Sequence, residues 1–163
     1  MNIFNKLFGK KQIKPNSDIW PSRQMNFKFE LKPHNGSNLA AQFKESILKI
    51  DGTDIDYSVE SIKFVDNFLQ KFRDKKIKIN DFAETVFIAG CYVGQVMVYH
   101  AQGEWIGEES IPGSSRDVLF PLVIKFPNGN IANPIAKAFK KYHYGESDNL
   151  EYFYYVATNP PKS

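Results

Sequence analysis

The run Phe82 to His100, FAETVFIAGCYVGQVMVYH, is apolar almost all the way round a helix. A helix with no wet face has to be wrapped by the rest of its chain or lie in a membrane. Glu84, Thr85 and Gln95 interrupt this run, and its continuous apolar part falls short of the roughly twenty residues of a span. The expectation is therefore a central, buried helix near 82–100. Asp81 and Glu84 have the capping-box spacing at its start, and Gly103 is placed to end it. Gly90 and Gly94 lie one turn apart on a single face. Each costs about 1 kcal/mol relative to alanine inside a helix, so the pair implies close approach by another group. That group is either a neighbouring strand or helix of this chain, or a ligand or peptide contacted by Tyr92 and Gln95.

With 163 residues, 42% of them hydrophobic, the chain can wrap one core and is too short for two comfortable domains. The expected division is a leader and linker over 1–19, one globular domain over 20–158 and a tail over 159–163. Met25, Phe27, Phe29 and Leu31 alternate with Asn26, Lys28 and Glu30, the period of a half-buried strand. Ser37 is placed to cap a helix with Leu39, Phe43, Ile47 and Ile50 on its apolar side, closed by Asp51-Gly52. Ser58 caps a second, with Ile62, Val65, Phe68, Leu69 and Phe72 inward and Arg73, Lys75 and Lys76 at its far end. Beyond the central helix, EWIG and VLFPLVIKF read as strands, Pro121 marking an edge or a bulge. Pro127-Asn128-Gly129 turns the chain toward a short return strand, NIA. Asn133-Pro134 opens a helix with Ile135, Phe139 and Tyr142 inward, Lys137, Lys140 and Lys141 outward and Gly145 as its stop. A last helix starts near Asp148, with Glu151 at capping-box spacing and Leu150, Phe153, Tyr154 and Ala157 inward. These elements make an α+β domain of about five helices packed on a small antiparallel sheet.

The charge is unevenly placed. The whole chain carries +3, yet Lys6, Lys10, Lys11 and Lys14 precede any acid, which leaves −1 for residues 15–163. A near-neutral body lacks the basic face that phosphate backbones require, so nucleic acid is not an expected partner. In the leader, Ile3, Phe4, Leu7 and Phe8 fall at helical spacing opposite Lys6, Lys10 and Lys11. That pattern suits either a weak contact with an anionic membrane surface or a solvated, frayed segment. One cysteine forms no internal disulfide, and the expected location is the cytoplasm.

Catalytic signals are sparse. Cys91 has His100 on the same helix, but nine residues at 1.5 Å each separate them by roughly 13 Å. Cys91 is read as an inert core thiol, with a hydrolase or transferase using it, or Glu104, Glu108 and Glu109, as the alternative. Asp51, Asp54 and Asp56 do not make a calcium loop, because Val59 and Val65 stand where glycine and glutamate are needed. No metal site, cofactor or catalytic residue is expected. The candidate binding residues are Tyr92, Gln95 and Trp105, close in sequence and rich in aromatic and amide groups, with Asn133 and Lys137 beside them.

Together, DYSVESIKFVD, GCYVGQVMVYHAQGEW and PNGNIANPIAKAFKKYHYGESDNLEYFY resemble, in order and spacing, an uncharacterised family of bacterial proteins. The pattern is D-Y-S-x-E-S, G-x-Y-x-G-E, G-x-W, N-P-x-x-K and a closing G-x-x-D-x-L, over residues 55–155. Gln95 stands where the pattern has glutamate, which removes any acid or base at that position. The resemblance implies bacterial origin and a compact α+β domain and supplies no activity. The expected function is a non-enzymatic binding module, immunity-like or accessory, that docks a protein partner. A membrane-surface adaptor acting through residues 2–11 is a third reading.

Overall fold

A computed structural model describes residues 19–111 and 121–161. The expected leader contacts, from Ile3 to Lys11, lie outside the described residues. So do residues 112–120 and 162–163. The described chain contains five α-helices: α1 (Gly36–Asp51), α2 (Ser61–Asp74), α3 (Ile79–Ala101), α4 (Pro134–Tyr144) and α5 (Leu150–Thr158). Three short strands, β1 (Glu104–Gly107), β2 (Leu122–Lys125) and β3 (Ile131–Ala132), form an antiparallel sheet in the order β1-β2-β3. Trp105 pairs with Ile124, and Ile124 with Ala132. The α+β architecture is therefore as expected.

Helix α3 is the axis. It is buried without interruption from Val86 to Met97 and packs most extensively on α1 and α4. Each fully buried Val, Ile or Phe along it contributes about 1.5–3 kcal/mol relative to exposure. At 23 residues it is long and apolar enough to cross a membrane, but 72% of its apolar window is covered by the rest of the chain.

Several local expectations change. Residues 25–31 form no strand, although the alternation does predict which side chains face in: Met25 is buried, Phe27, Phe29 and Leu31 are half-buried, and the residues between are exposed. The segment lies on a helix instead of beside a strand. Phe27 packs on Phe87, the rings tilted with centroids 4.5 Å apart, and the Asn26 amide donates to the Glu84 carboxylate at 2.9 Å. Glu84 thus serves no capping box. α3 begins earlier, at Ile79, and Glu84 takes the Arg23 guanidinium in a two-pronged pair of 2.5 and 2.8 Å. Burial opposes the Glu84 charge, yet Arg23 and the Asn26 amide hold its carboxyl below the ordinary carboxylate range. The left-handed residue ending α3 is Gln102 (φ 56°), one before Gly103. α1 runs straight on from a 3-10 turn at Pro33–Asn35, leaving Ser37 inside it and Ile50 63% exposed. Ser58 is not the cap position of α2, which starts at Ser61 after Glu60 with no side-chain cap bond; its Oγ accepts from the Ser61 amide at 3.1 Å in the turn that leads into the helix. Pro121 stands just before β2, which is the central strand and neither an edge nor a bulge; the proline marks the strand's start, its carbonyl accepting from the Glu108 amide at 2.8 Å where no donor is required of it.

The largest departure is Lys141, expected outside and found fully buried. Its ammonium lies 3.0 Å from Asp66 Oδ2, at an angle outside hydrogen-bonding geometry. Asp66 is itself 3% exposed, and its other oxygen accepts from the Leu150 amide at 2.8 Å. One carboxylate on α2 thereby fixes α4 through charge and the first turn of α5 through a hydrogen bond. The actual cap of α5 is Asn149, one residue past Asp148, accepting from the Tyr152 amide at 2.8 Å.

Removing one member of a buried pair leaves an uncompensated charge, so Lys141→Met should lower unfolding free energy by about 3–5 kcal/mol. Adding Asp66→Asn, which keeps an acceptor for Leu150, should recover much of that loss. Urea denaturation of the single and double variants checks both, and equal loss in the two would contradict the role given to the ion pair.

Candidate functional site

The glycine face of α3 is filled by the chain itself. A Cβ on Gly90 would stand 2.5 Å from Ile135 Cα and 2.9 Å from the Pro134 carbonyl oxygen. The first turn of α4 therefore crosses α3 backbone to backbone. One turn along, a Cβ on Gly94 would enter the Trp105 ring and come within 3.1 Å of Pro134 Cγ. A Cβ on Gly36 of α1 would meet the same indole, 2.5 Å from its Cδ1 and Nε1. Trp105 is wedged between two glycines on different helices, and its Nε1 donates to Gln95 Oε1 at 3.0 Å. The amide in the middle of the apolar helix thus has an internal partner.

The five candidate binding residues do not form one open face. Tyr92 is fully buried, its hydroxyl accepting from the Tyr57 amide at 2.8 Å and sharing a bond of 2.7 Å with Ser61 Oγ. Burial pushes that phenol up, partly offset by the bonds from Ser61 and Tyr57. Gln95 is 4% exposed and Trp105 half-buried. Asn133 caps α4, its Oδ1 accepting from the Ala136 amide at 3.0 Å, worth about 1 kcal/mol. Lys137 pairs with Asp148 at 2.6 Å above the Phe153 ring. The expected docking face of Tyr92, Gln95 and Trp105 is therefore closed, since interior polar groups are satisfied inside.

The alternative chemistry finds little to work with. Cys91 is fully buried, and burial pushes its thiol far above the range in which a thiolate forms. His100 spends Nε2 on the Tyr57 carbonyl at 2.9 Å. Glu104 and Glu109 are exposed, and burial together with the Glu109 charge raises the Glu108 carboxyl. Among the described residues, no group of three or more His, Cys, Asp or Glu is arranged to hold a metal.

The outward resource is on α5. Tyr152, Tyr155 and Val156 are 69%, 62% and 45% exposed, while Leu150 and Tyr154 anchor the opposite side. Spacings of three and four put the exposed three on one face. Exposed carboxylates occur at Glu146 in the 3-10 turn before α5, at Glu151 on α5 and at Glu60, whose charge adds to burial in raising the Tyr154 phenol. The signal was present in EYFYYV, where four consecutive aromatics cannot all face one core.

Two outcomes test this description. Gly90→Ala should destabilise by about 1–3 kcal/mol through overpacking, where an unobstructed helix position would gain about 1 kcal/mol. A thiol reagent should label Cys91 only as fast as the chain unfolds, and rapid labelling of the native protein at neutral pH would contradict its burial. Comparison with protein-family models, curated proteins and solved structures finds no match for this chain, so the motif order that resembles a bacterial family assigns it to none.

Proposed function

We propose that this protein is a non-enzymatic binding module that docks a protein partner through the outer face of α5. The observation that carries the reading is the stripe of Tyr152, Tyr155 and Val156 on a helix whose other side is pinned by Asp66, Asn149 and Leu150. Tyrosine offers large contact area at little entropic cost and is enriched among residues that dominate binding energy. A rigid mount spares the partner the cost of ordering the surface. The acids at Glu60, Glu146 and Glu151 suit an occupant with an apolar groove and a basic rim. This is the behaviour of an accessory or immunity-like protein, and a cytoplasmic setting suits a chain whose one thiol is free and buried.

The test places a photo-crosslinking amino acid at position 152 and, as a control, at position 50, which is 63% exposed on α1. A discrete heteromeric adduct from position 152 only, lost with Tyr155→Ser, supports the proposal. Adducts of twice the chain mass, or the same adducts from both positions, overturn it. Tyr155→Ser itself should change stability by less than about 0.5 kcal/mol, as a surface substitution does.

A further inference from the structure

A second outward feature among the described residues is a cleft of about 730 Å³ between the end of α2, the start of α3 and the end of α4. Its lining includes Arg73, Lys76 and Lys78, with Asp74 the one carboxylate among the lining residues, and its apolar wall carries Trp20, Ile77 and Ile79. A concave surface with an apolar part and a few charged groups has the make-up of a small-molecule site.

The cations are mounted differently. Arg73 is fixed: its Nε donates to the His143 carbonyl at 3.2 Å, and its guanidinium packs on Gly145, within 3.1–3.2 Å of where a Cβ would be. Its nearest carboxylate, Asp74, lies 3.9 Å from Nη1, at the edge of ion pairing, so the rest of the fork has donors to spare. Lys76 and Lys78 are exposed and flank the α2–α3 turn, where Lys76 adopts the left-handed conformation (φ 59°). α3 begins in the same lining with no side-chain cap, its positive end partly offset by Asp81 in the first turn. Elsewhere in the lining, Trp20 is backed by Phe139 at 5.4 Å, and the Tyr142 hydroxyl donates to the Ile77 carbonyl.

We propose that this cleft binds a small organic phosphate, its phosphate on Arg73, Lys76 and Lys78 and its planar portion against Trp20 and Ile77. Arginine's planar fork matches phosphate geometry, and the two exposed lysines complete the neutralisation. An aromatic wall at one side of a cation cluster favours a ligand with a ring over a bare anion. The chain near neutrality outside its leader argues for one compact anion and against a polyanion, which needs a continuous basic face. None of these residues belongs to the α5 stripe, so failure here leaves the docking proposal standing, and the reverse.

The experiment is calorimetric titration of the full chain with adenosine monophosphate, inorganic phosphate and adenosine. Expected is saturable, salt-sensitive binding of the monophosphate with Kd below about 1 mM, weaker binding of phosphate and none of adenosine. Lys76→Gln with Lys78→Gln should weaken the monophosphate at least about tenfold, the scale of losing charge-assisted hydrogen bonds. Both sites are exposed, so the fold should be unaffected. Arg73→Gln should do the same, with circular dichroism to verify folding. No saturable binding of the monophosphate, equal binding by the double variant, or adenosine binding as well as its monophosphate would overturn the assignment.

Discussion

Contact between two backbones, Gly90 on α3 and Ile135 on α4, is the constraint from which the rest of the arrangement follows. With any side chain at Gly90, α4 would have to stand further off. α4 sits close because Asn133 and Pro134 start it at that point, cap and first helical residue together. That start sets the phase of α4, and the phase turns Lys141 inward onto Asp66. Asp66 in turn receives the Leu150 amide, which fixes where α5 begins and which of its tyrosines remain outside. A packing requirement at one glycine is thereby transmitted, through a cap and an ion pair, to the surface proposed for binding.

The polar groups inside this core specify more than they stabilise. Gln95 with Trp105, Tyr92 with Ser61 and Tyr57, and Asp66 with Lys141 are each internal partnerships. A typical hydrogen bond nets only about 1 kcal/mol, but an orphaned buried donor or acceptor costs about 1–3 kcal/mol. An alternative packing that slid α3 by one turn would break the Gln95 and Tyr92 partnerships together. Since apolar contacts alone discriminate poorly between registers of a helix that is greasy all round, these few groups select one.

The sequence made elements and inward faces legible, because both depend on periodicity within a segment. Met25, Phe27, Phe29 and Leu31 were correctly read as facing inward, yet the same alternation says nothing about what lies beside the backbone, and here it is α3 with no second strand. Glu84 has the spacing of a capping residue, but Arg23 lies 61 positions away in the chain and no local rule anticipates that pair. Lys141 was misread because lysine almost always faces water, and only the carboxylate of a different helix makes its burial tolerable. In each case the local preference was real and a distant partner outweighed it.

The candidate binding residues illustrate the same limit with a functional consequence. An amide and a tyrosine on an otherwise apolar helix suggest a ligand when the helix is considered alone. In a wrapped helix the stronger demand is the opposite, since each polar group that cannot reach water has to be met from within. Tyr92 and Gln95 are thus among the least available polar groups in the molecule. Unspent recognition chemistry collects at the periphery instead, where short elements have too few neighbours to cover them: three apolar residues of the nine-residue α5, and cations beside the turn that joins α2 to α3. Both places are held by buried anchors, Asp66 beneath the first and the Gly145 packing of Arg73 beside the second. The α5 stripe, mounted on such an anchor, loses little backbone entropy on binding, which is the physical ground for proposing a docking surface there and not on the axis.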